Sequence, residues 1–330
     1  MKAIVYEKYG PPEVLQLREV ERPSPKENEV LVKVFAASIN YIDWQVLRGE
    51  SLMLRLLNGL LKPKHNGLGD DLAGQVEAVG TRVKNFKPGD EVFGISDFDA
   101  FAEFACVPEN ALTLKPEGMT FEQAAAIPEA AITALQGIRN KGRIQPGTNT
   151  LIIGASGGVG TYAVQIAKAH GANVTGVCST RKIDLVRSIG ADQVIDYKRE
   201  NFTQNMQQYD LIFAVGGSYS IFDYQRALSP EGIYVCAGGS GKQYFQALLL
   251  GPLLSMTGGK KLQSIGMAKP NPKDYGYLIE LYEAGTVIPV IDRCYPLDEV
   301  PEALRYYGSG QAHGKVIITV KQYKGESNDD

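Results

Sequence analysis

Apolar and polar residues alternate through the first third of the chain. Residues 29–36 (EVLVKVFA) alternate strictly, which is typical of a half-buried strand, and residues 2–6 show the same tendency. Residues 67–79 and 91–95 are further β-type runs, and the turn-forming sequence Pro88-Gly89-Asp90 separates them. Short strands divided by glycine and proline turns predict a compact β-rich domain or barrel.

The pattern changes near residue 121, where a helix is predicted after the capping sequence of residues 120–123. Beyond it, strands alternate with helices. Strands are predicted at residues 150–153, 173–178, 193–197, 210–215, 233–237 and 261–265. Two of the intervening helices end at His170 and Ile189, each just before a glycine that suits a helix end. Such alternation predicts an α/β domain built on a parallel sheet with helices on both faces.

The part of the chain after residue 267 is more similar to the first third than to the α/β region. It contains a predicted helix and predicted strands at residues 287–290 and 315–320. We therefore predict that residues 1–122 and 267–330 form one discontinuous β-rich domain and that residues 123–266 form the α/β domain. Within this layout, residues 325–330 are predicted to be disordered.

One glycine-rich segment carries the most specific functional signal. The strand at residues 150–153 leads through Gly154 into Ala155-Ser156-Gly157-Gly158-Val159-Gly160, where a helix begins. This succession matches the dinucleotide-binding fingerprint, in which Gly157 lets the backbone approach a pyrophosphate and Gly160 lets helix and strand pack closely. The start of the helix then binds the negative charge. The alternative is a tight turn without a ligand.

The second strand of this domain indicates which dinucleotide binds. NAD-binding proteins place an Asp or Glu about 20 residues beyond the glycines, whereas here the strand ends in Ser179-Thr180-Arg181-Lys182. Ser179, Arg181 and Lys182 suit the 2′-phosphate of NADP(H), through charge-assisted hydrogen bonds. The alternative is an ordinary solvated basic helix start.

Length, charge and composition exclude several classes of protein. The chain has 330 residues, which suggests two domains of ordinary size. Its net charge of −3 argues against a nucleic-acid partner, and its longest apolar stretch, residues 245–256, is shorter than a membrane span of about 20 residues. The four cysteines are scattered, and the first ten residues lack an apolar signal core. We therefore expect a cytoplasmic protein.

Several spaced motifs resemble one family over nearly the whole chain. They are residues 40–43 (NYID) with Arg48-Gly49, residues 69–74 (GDDLAG), residues 87–92 (KPGDEV), residues 155–160 with Gln165 and Lys168, Asp196-Tyr197, and residues 314–316 (GKV). Their order and spacing resemble the medium-chain dehydrogenase/reductase superfamily, in its zinc-free quinone oxidoreductase (zeta-crystallin-like) and alkenal/enone reductase branch.

The resemblance implies a GroES-like catalytic domain made from both ends of the chain, with a Rossmann domain inserted. It implies an NADPH-dependent enzyme that reduces quinones or α,β-unsaturated carbonyl compounds, and it implies a homodimer. By the same resemblance, Lys182 and Tyr197 contact the adenosine 2′-phosphate side of NADP(H), joined by Ser179, and Thr133 lies near the nicotinamide.

The resemblance also bears on metal binding. Zinc alcohol dehydrogenases of this superfamily carry Cys and then His at the positions of Asn40 and Asp70, and their third catalytic ligand corresponds to Glu129. Asparagine is a poor zinc ligand, and the sequence lacks the four-cysteine structural zinc lobe. We predict no zinc. The histidines are expected to be surface or packing residues, namely His65, His170 and His313.

Without a metal, the charge that develops on the substrate needs hydrogen-bond donors. Hydride addition to the β-carbon of an enone gives a delocalised enolate, which such donors can stabilise. We predict Asn40, Tyr41 and Asp43 as catalytic residues, with the Asn40 amide and the Tyr41 hydroxyl as donors and Tyr41 or water as the proton source. The alternative is that they order a turn. Some relatives carry a substrate-facing Tyr where Gln45 stands, so a preference for quinones is left open.

Two apolar segments, residues 51–61 and 244–256, are candidates to cover the substrate. If they do, substrates should be bulky and apolar. The alternative for these segments is that they are core helices or a dimer contact. For the protein as a whole, the alternatives to an enone or quinone reductase are an alcohol dehydrogenase and a non-catalytic NADPH-binding protein.

Overall fold

The computed structural model describes residues 1–50, 52–256 and 258–320. The strands are β1 (Lys2–Val5), β2 (Gln16–Glu19), β3 (Glu29–Ile39), β4 (Asp71–Val79), β5 (Glu91–Ile95), β6 (Phe104–Pro108), β7 (Leu112–Leu114), β8 (Asn149–Ile153), β9 (Asn173–Cys178), β10 (Gln193–Asp196), β11 (Tyr209–Ala214), β12 (Leu228–Cys236), β13 (Lys261–Ser264), β14 (Ile291–Pro296) and β15 (Lys315–Thr319). The helices are α1 (Tyr41–Arg48), α2 (Leu52–Asn58), α3 (Phe121–Ala125), α4 (Pro128–Leu135), α5 (Gly158–Ala169), α6 (Ile183–Ser188), α7 (Ile221–Ala227), α8 (Gly241–Leu254), α9 (Pro272–Glu283) and α10 (Val300–Gly308).

The chain divides into two compact units. The first unit consists of Met1–Glu129, Pro270–Tyr275 and the chain from Ile291 onward, and the second unit consists of Ala130–Lys269 and Gly276–Val290. These bounds differ from the predicted domains mainly at residues 276–290, which pack with the α/β part of the chain.

One side chain accounts for the position of that segment. The Gln165 amide nitrogen on α5 donates to the Ile288 carbonyl oxygen at 3.0 Å, and the Gln165 amide oxygen accepts from the Ile288 backbone nitrogen at 2.8 Å. Gln165 is buried. Because it satisfies both backbone groups of Ile288, this part of the chain is held by the second unit.

Within the described residues, six strands of the second unit form a parallel sheet in the order β10-β9-β8-β11-β12-β13. The central strands β8 and β11 are buried over nearly their whole length, as strands covered on both faces must be. The order runs outward in both directions from β8, which is the topology of a Rossmann sheet. The predicted parallel sheet is confirmed.

The first unit is built on β-strands. Seven described strands form one sheet, in which β14, β15, β3, β4, β5 and β7 are neighbours in that order and β6 also pairs with β3. β1 and β2 form a separate antiparallel pair. In β3 the alternating residues Val30, Val32 and Val34 are fully buried, as the sequence pattern predicts. The predicted β-rich domain is confirmed, so the protein has the expected mixed α/β fold.

Two strands lie elsewhere than predicted. Residues 287–290 are not a strand, because Ile288 bonds to the Gln165 side chain, and the strand of this region is β14. The run at residues 67–79 becomes a strand only at Asp71, since Gly69 has a φ of +92° and its carbonyl accepts from the Ala100 amide. The predicted disorder of residues 325–330 concerns residues outside the described ranges.

Across the described ranges, every helix is too short or too polar to span a lipid bilayer.

Candidate functional site

The glycine-rich turn joins β8 to α5 in the second unit. Gly154 has a φ of +83°, a left-handed conformation that favours glycine, and the amides of Gly154 and Ala155 both donate to the Val177 carbonyl at 3.1 Å. Gly157 caps α5, and its carbonyl accepts from the Thr161 amide at 2.9 Å. The first N–H groups of α5 therefore lack intrahelical partners and, together with the helix dipole, favour an anion such as a pyrophosphate.

The glycines of the turn have different physical roles. A Cβ on Gly160 would lie 2.0 Å from the Gly154 carbonyl oxygen, so the packing of the helix on the turn requires glycine there. A Cβ on Gly157 would meet the same oxygen at 3.5 Å, which is an ordinary contact. The fold alone therefore accommodates a larger residue at Gly157, whereas a closely approaching phosphate would not.

The other predicted residues of this site differ in exposure. Ser156 is buried, and Gly158 and Val159 are partly exposed at the helix start. Ala155 is fully buried and its amide donates to the Val177 carbonyl on β9, so its role in the structure is packing against the sheet. Thr133 lies on α4 in the second unit and is 9% exposed.

Two predicted residues, Ser179 and Tyr197, follow neighbouring strands at their carboxyl ends. β9 and β10 pair in parallel with Cys178 opposite Asp196, and the Tyr197 amide donates to the Cys178 carbonyl at 3.1 Å. Ser179 and Tyr197 are thus held side by side, with 53% of Tyr197 exposed. The carboxyl ends of parallel strands are where such sheets bind their ligands.

The charges at this edge favour an anion. Residues 179–182 contain two cations and no carboxylate, and Arg181 is exposed while Lys182 is partly exposed. The Asp196 carboxylate also lies at this edge, where it accepts from the Thr180 hydroxyl of the same segment at 2.6 Å and from the Lys198 amide of its own loop at 3.0 Å. The Thr180 bond above all holds the pKa of Asp196 below its usual range. The arrangement can therefore hold a phosphate beside Ser179.

A second group of functional candidates lies in the first unit, where β15, β3 and β4 are adjacent. Lys315, the first residue of β15, is 2% exposed. Its ammonium donates to the Ile39 carbonyl at 3.3 Å, to the side-chain oxygen of Asn40, and to Asp71 Oδ2 at 3.2 Å. Asp71 is fully buried and also accepts from the Ser38 hydroxyl at 2.9 Å. Lys315 and Asp71 form a buried ion pair with further polar partners.

Asn40 brings the predicted catalytic motif into this cluster. It precedes α1 and is 6% exposed. Its side-chain oxygen accepts from Lys315, whereas its Nδ2 group is buried and has no hydrogen-bond partner among the described residues. Since a buried donor without a partner is costly, Nδ2 is the group of this cluster best suited to bind a substrate oxygen.

Asp43 supports the loop before α1. Its Oδ2 accepts from the Asn40 amide at 2.7 Å, and its Oδ1 accepts from the Gly69 amide at 3.1 Å. Burial raises the pKa of the fully buried Asp43 to about 7, although these backbone bonds oppose the shift. The contacts favour the alternative in which Asp43 orders a turn. Tyr41, the third predicted catalytic residue, is 47% exposed and accessible to water.

Two further carboxyl groups add to the cluster. Burial raises the pKa of Glu129 to about 8, with the Asp71 carboxylate as the next cause, and Glu129 Oε2 is buried without a partner among the described residues. Burial, followed by the neighbouring Asp43, raises the pKa of Asp70 well above its usual range. Several acidic groups therefore share one ammonium, and the Glu129 carboxyl, with its pKa of about 8, is protonated near neutral pH.

From the sequence, Asn40, Tyr41 and Asp43 are proposed and no role is assigned to Lys315 or Asp71, which the structure places in contact with each other beside Asn40. Both missed residues stand in motifs that the family resemblance used, residues 69–74 and 314–316. The available signal was a single lysine at the start of the otherwise apolar run of residues 315–320 (KVIITV). A charge at a position that the sheet buries indicates a partner.

The histidines make separate local contacts. His65 Nε2 lies 3.1 Å from Asp99 Oδ1, His170 Nδ1 lies 2.9 Å from the Ile166 carbonyl, and His313 Nε2 lies 3.3 Å from Asp292 Oδ1. In the described part of the chain, no group of three or more His, Cys, Asp or Glu side chains is arranged to hold a metal ion.

The two apolar segments singled out in the sequence present exposed side chains. Leu56, on α2, is 64% exposed, and Leu61, just beyond that helix, is 90% exposed. On α8, Leu249 is 64% and Leu253 is 62% exposed. These side chains are outside the core, so a substrate-covering role and a subunit contact remain as predictions. Residue 51, the first of its segment, lies outside the described residues.

Comparisons with known proteins show which family the chain is similar to. Residues 26–117 match the family model described as alcohol dehydrogenase GroES-like domain, and residues 189–318 match the model described as zinc-binding dehydrogenase. The chain is 33% identical to the chloroplast envelope quinone oxidoreductase homolog of Arabidopsis thaliana, covering 96% of this chain and 98% of that protein. It is 32% identical to the NADPH-dependent alkenal/one oxidoreductase of the same plant, covering 96% and 79%.

A solved structure gives the same result for the fold. The crystal structure of Escherichia coli quinone oxidoreductase complexed with NADPH is similar with a TM-score of 0.85, at 26% identity, over 97% of this chain and 100% of that one. The chain belongs to the medium-chain dehydrogenase/reductase superfamily, in the branch of the quinone and alkenal/one oxidoreductases. It is an oxidoreductase.

Proposed function

We propose that the protein is an NADPH-dependent, zinc-independent reductase that transfers hydride to quinones or to the C=C bond of α,β-unsaturated carbonyl compounds. The names of the relatives, a quinone oxidoreductase homolog and an alkenal/one oxidoreductase, support this substrate class. The observation that carries the proposal is the Asn40 side chain, whose oxygen bonds to a buried ammonium and whose Nδ2 group is an unpaired buried donor.

The residues at the positions of a catalytic zinc do not fit that ion, although one matching family model is described as zinc-binding. The Asn40 oxygen already accepts a hydrogen bond from the Lys315 ammonium. A zinc ion at this oxygen would face a second cation at hydrogen-bond distance, which is strongly unfavourable in a buried site. The proposed reaction therefore uses no metal ion.

The cofactor-binding residues fit NADP(H). The start of α5, with Gly157 and Gly158, suits the pyrophosphate, and Ser179, Arg181, Lys182 and Tyr197 suit the 2′-phosphate of the adenosine. Thr133 is proposed to contact the nicotinamide. When bound, NADPH supplies the hydride.

The chemistry left to the protein is charge stabilisation and proton supply. Reduction of an enone places negative charge on its oxygen, and Asn40 Nδ2 is the proposed donor to that oxygen. Asp43 holds the Asn40 backbone through the bond to its amide. The α-carbon or the oxygen then takes a proton from Tyr41 or from water. Tyr41 is half exposed, so its hydroxyl group is in contact with solvent.

The cytoplasmic location and the homodimer stay predictions. If the exposed apolar residues of α2 and α8 cover the substrate, long apolar enals should be reduced more efficiently than short ones.

The experiment that tests the proposal measures NADPH oxidation with quinones, enals, enones and simple aldehydes, with NADH in parallel and with metal analysis of the purified protein. We expect activity with the first three classes, a preference for NADPH, and no stoichiometric zinc. Aldehyde turnover with one bound zinc per chain would instead indicate an alcohol dehydrogenase. Tight NADPH binding without turnover of any substrate would indicate a non-catalytic protein.

A further inference from the structure

The buried ammonium of Lys315 determines how the Asn40 side chain is oriented. An ammonium has three N–H donors and no acceptor. Only the oxygen end of the Asn40 amide can therefore face Lys315, and the Nδ2 end must point away from it. An amide nitrogen in the place of the Asn40 oxygen would have no acceptor on the ammonium, so the opposite orientation of the amide is excluded.

The remaining contacts of Lys315 hold its ammonium in place. The three donors are used by the Ile39 carbonyl, the Asn40 oxygen and Asp71 Oδ2. The sheet places these partners together, since Val316 pairs with Ile39 on β3 and Ser38 pairs with Asp71 on β4. The lysine thus cannot rotate towards another acceptor without losing an ion pair inside the protein.

Asp71 is equally fixed on its other side. Its Oδ2 also accepts from the Ser38 hydroxyl at 2.9 Å, and its Oδ1 accepts from the Glu129 amide at 2.9 Å. Asp71 is 0% exposed. The charge that balances Lys315 is therefore held by the Ser38 hydroxyl and by the Glu129 backbone amide.

We infer that Lys315 is a positioning residue of the reductase, acting through Asn40: its ammonium binds the amide oxygen and so keeps Asn40 Nδ2 free to donate to the substrate oxygen. This inference rests on the proposed function, because it needs Asn40 to bind substrate. Without the ammonium, the amide can turn over and present its oxygen, an acceptor, to the developing negative charge.

The test uses steady-state kinetics of the full-length holoenzyme at saturating NADPH, with the concentration of one chosen enone varied. Lys315→Met keeps the side-chain length and removes the charge. We expect kcat to fall by about tenfold or more with little change in KM, because the Asn40 Nδ2 donor acts mainly on the charge that develops in the transition state. Asn40→Ala is expected to lower kcat by about 100-fold. Adding Lys315→Met to Asn40→Ala should then change kcat by less than about twofold.

A matched control separates positioning from general stability. Lys115 is another largely buried lysine of the first unit, with 6% of its side chain exposed, an ion pair to Glu91 at 2.9 Å and a bond to the Met119 carbonyl at 2.7 Å. Lys115→Met should lower the melting temperature while kcat stays within about twofold of wild type. A second variant, Lys315→Met with Asp71→Asn, restores the charge balance and should regain stability without regaining kcat.

Three outcomes would overturn the inference. The first is multiplicative losses of kcat from Asn40→Ala and Lys315→Met, and the second is recovery of kcat together with stability in the charge-balanced variant. If none of the Lys315 variants folds, a crystal structure of the wild-type holoenzyme is the deciding experiment. The third overturning outcome is a structure in which the Lys315 ammonium lies beyond hydrogen-bond distance of Asn40. Full turnover by Asn40→Ala would remove both this inference and the proposed role of Asn40, whereas multiplicative losses of kcat leave the proposed function intact.

Discussion

Gly160 packs so tightly on Gly154 that a Cβ at Gly160 would lie 2.0 Å from the Gly154 carbonyl oxygen, inside any permitted contact distance. Gly157, in the same motif, leaves 3.5 Å to that oxygen. One glycine is therefore required by the fold, and the other is required only by a ligand that approaches the backbone.

This difference predicts opposite effects of two alanine substitutions. Gly160→Ala should destabilise the protein by about 2 kcal/mol or more, because the helix must move off the turn. Gly157→Ala should leave the melting temperature almost unchanged and weaken NADPH binding by about tenfold or more. Thermal unfolding and fluorescence titration measure the two effects. The interpretation fails if Gly157→Ala binds NADPH as wild type does.

The cations after β9 predict the cofactor preference. Replacing Arg181 and Lys182 together by alanine should raise the KM for NADPH by about 100-fold or more, since two charge-assisted hydrogen bonds of about 1.5–3 kcal/mol each are lost. The KM for NADH should change little, because NADH has no 2′-phosphate. Arg187→Ala, at an exposed arginine on α6, is the control and should change neither value. Equal losses with both cofactors would argue against a 2′-phosphate site.

The pKa of Glu129 predicts how stability depends on pH. Burial raises this pKa from an ordinary 4.5 to about 8, so the folded state binds a proton that the unfolded state has released between these values. Stability should therefore fall as pH rises from about 5 to 9. Glu129→Gln stays neutral and should reduce the fall between pH 6 and pH 9 by about 3 kcal/mol.

Urea unfolding at pH 6 and at pH 9 measures this effect. Glu117→Gln, at an exposed glutamate of the first unit, is the control and should keep the wild-type difference between the two pH values. Because Asp43 has a pKa of about 7 for the same reason, part of the pH dependence should persist in Glu129→Gln. An unchanged difference in Glu129→Gln would show that the glutamate is ionised in the folded protein.

The Gln165 contacts predict a local loss of protection. Gln165→Leu removes both bonds to the backbone of Ile288 and leaves its N–H and C=O groups without these partners. We expect a destabilisation of about 1–3 kcal/mol and faster amide hydrogen exchange in residues 286–290. Gln207→Leu, at an exposed position of the same unit, should have no such effect. Exchange that increases evenly over the second unit would contradict a local role.

Much of the architecture follows from local patterns that the sequence displays directly. β9 and β5 lie at the predicted residues, because a buried strand needs an apolar run and turns on each side end it. The dinucleotide motif was recognisable for the same reason, since its glycines, strand and helix are contiguous. Its division into a packing glycine, Gly160, and a ligand glycine, Gly157, depends on their distances to the Gly154 carbonyl, which the sequence does not contain.

Other features could not be predicted because they depend on contacts distant in sequence. β14 contains exposed Arg293 and Cys294 and lacks an apolar run. The sequence pattern therefore favours a strand at the more apolar residues 287–290. The bond from Lys315 to Asp71 joins residues 244 positions apart. Nothing local to either residue indicates the other, and only the order of strands β15, β3 and β4 brings them together.

The bond between Asn40 and Lys315 spans 275 positions, nearly the whole length of the chain. During translation, every strand of the parallel sheet leaves the ribosome before Lys315 has been added. A product that terminates ahead of β15 would keep the nucleotide-binding turn but have no ammonium at its asparagine. Such a product would therefore lack the contact that we propose to orient the Asn40 amide.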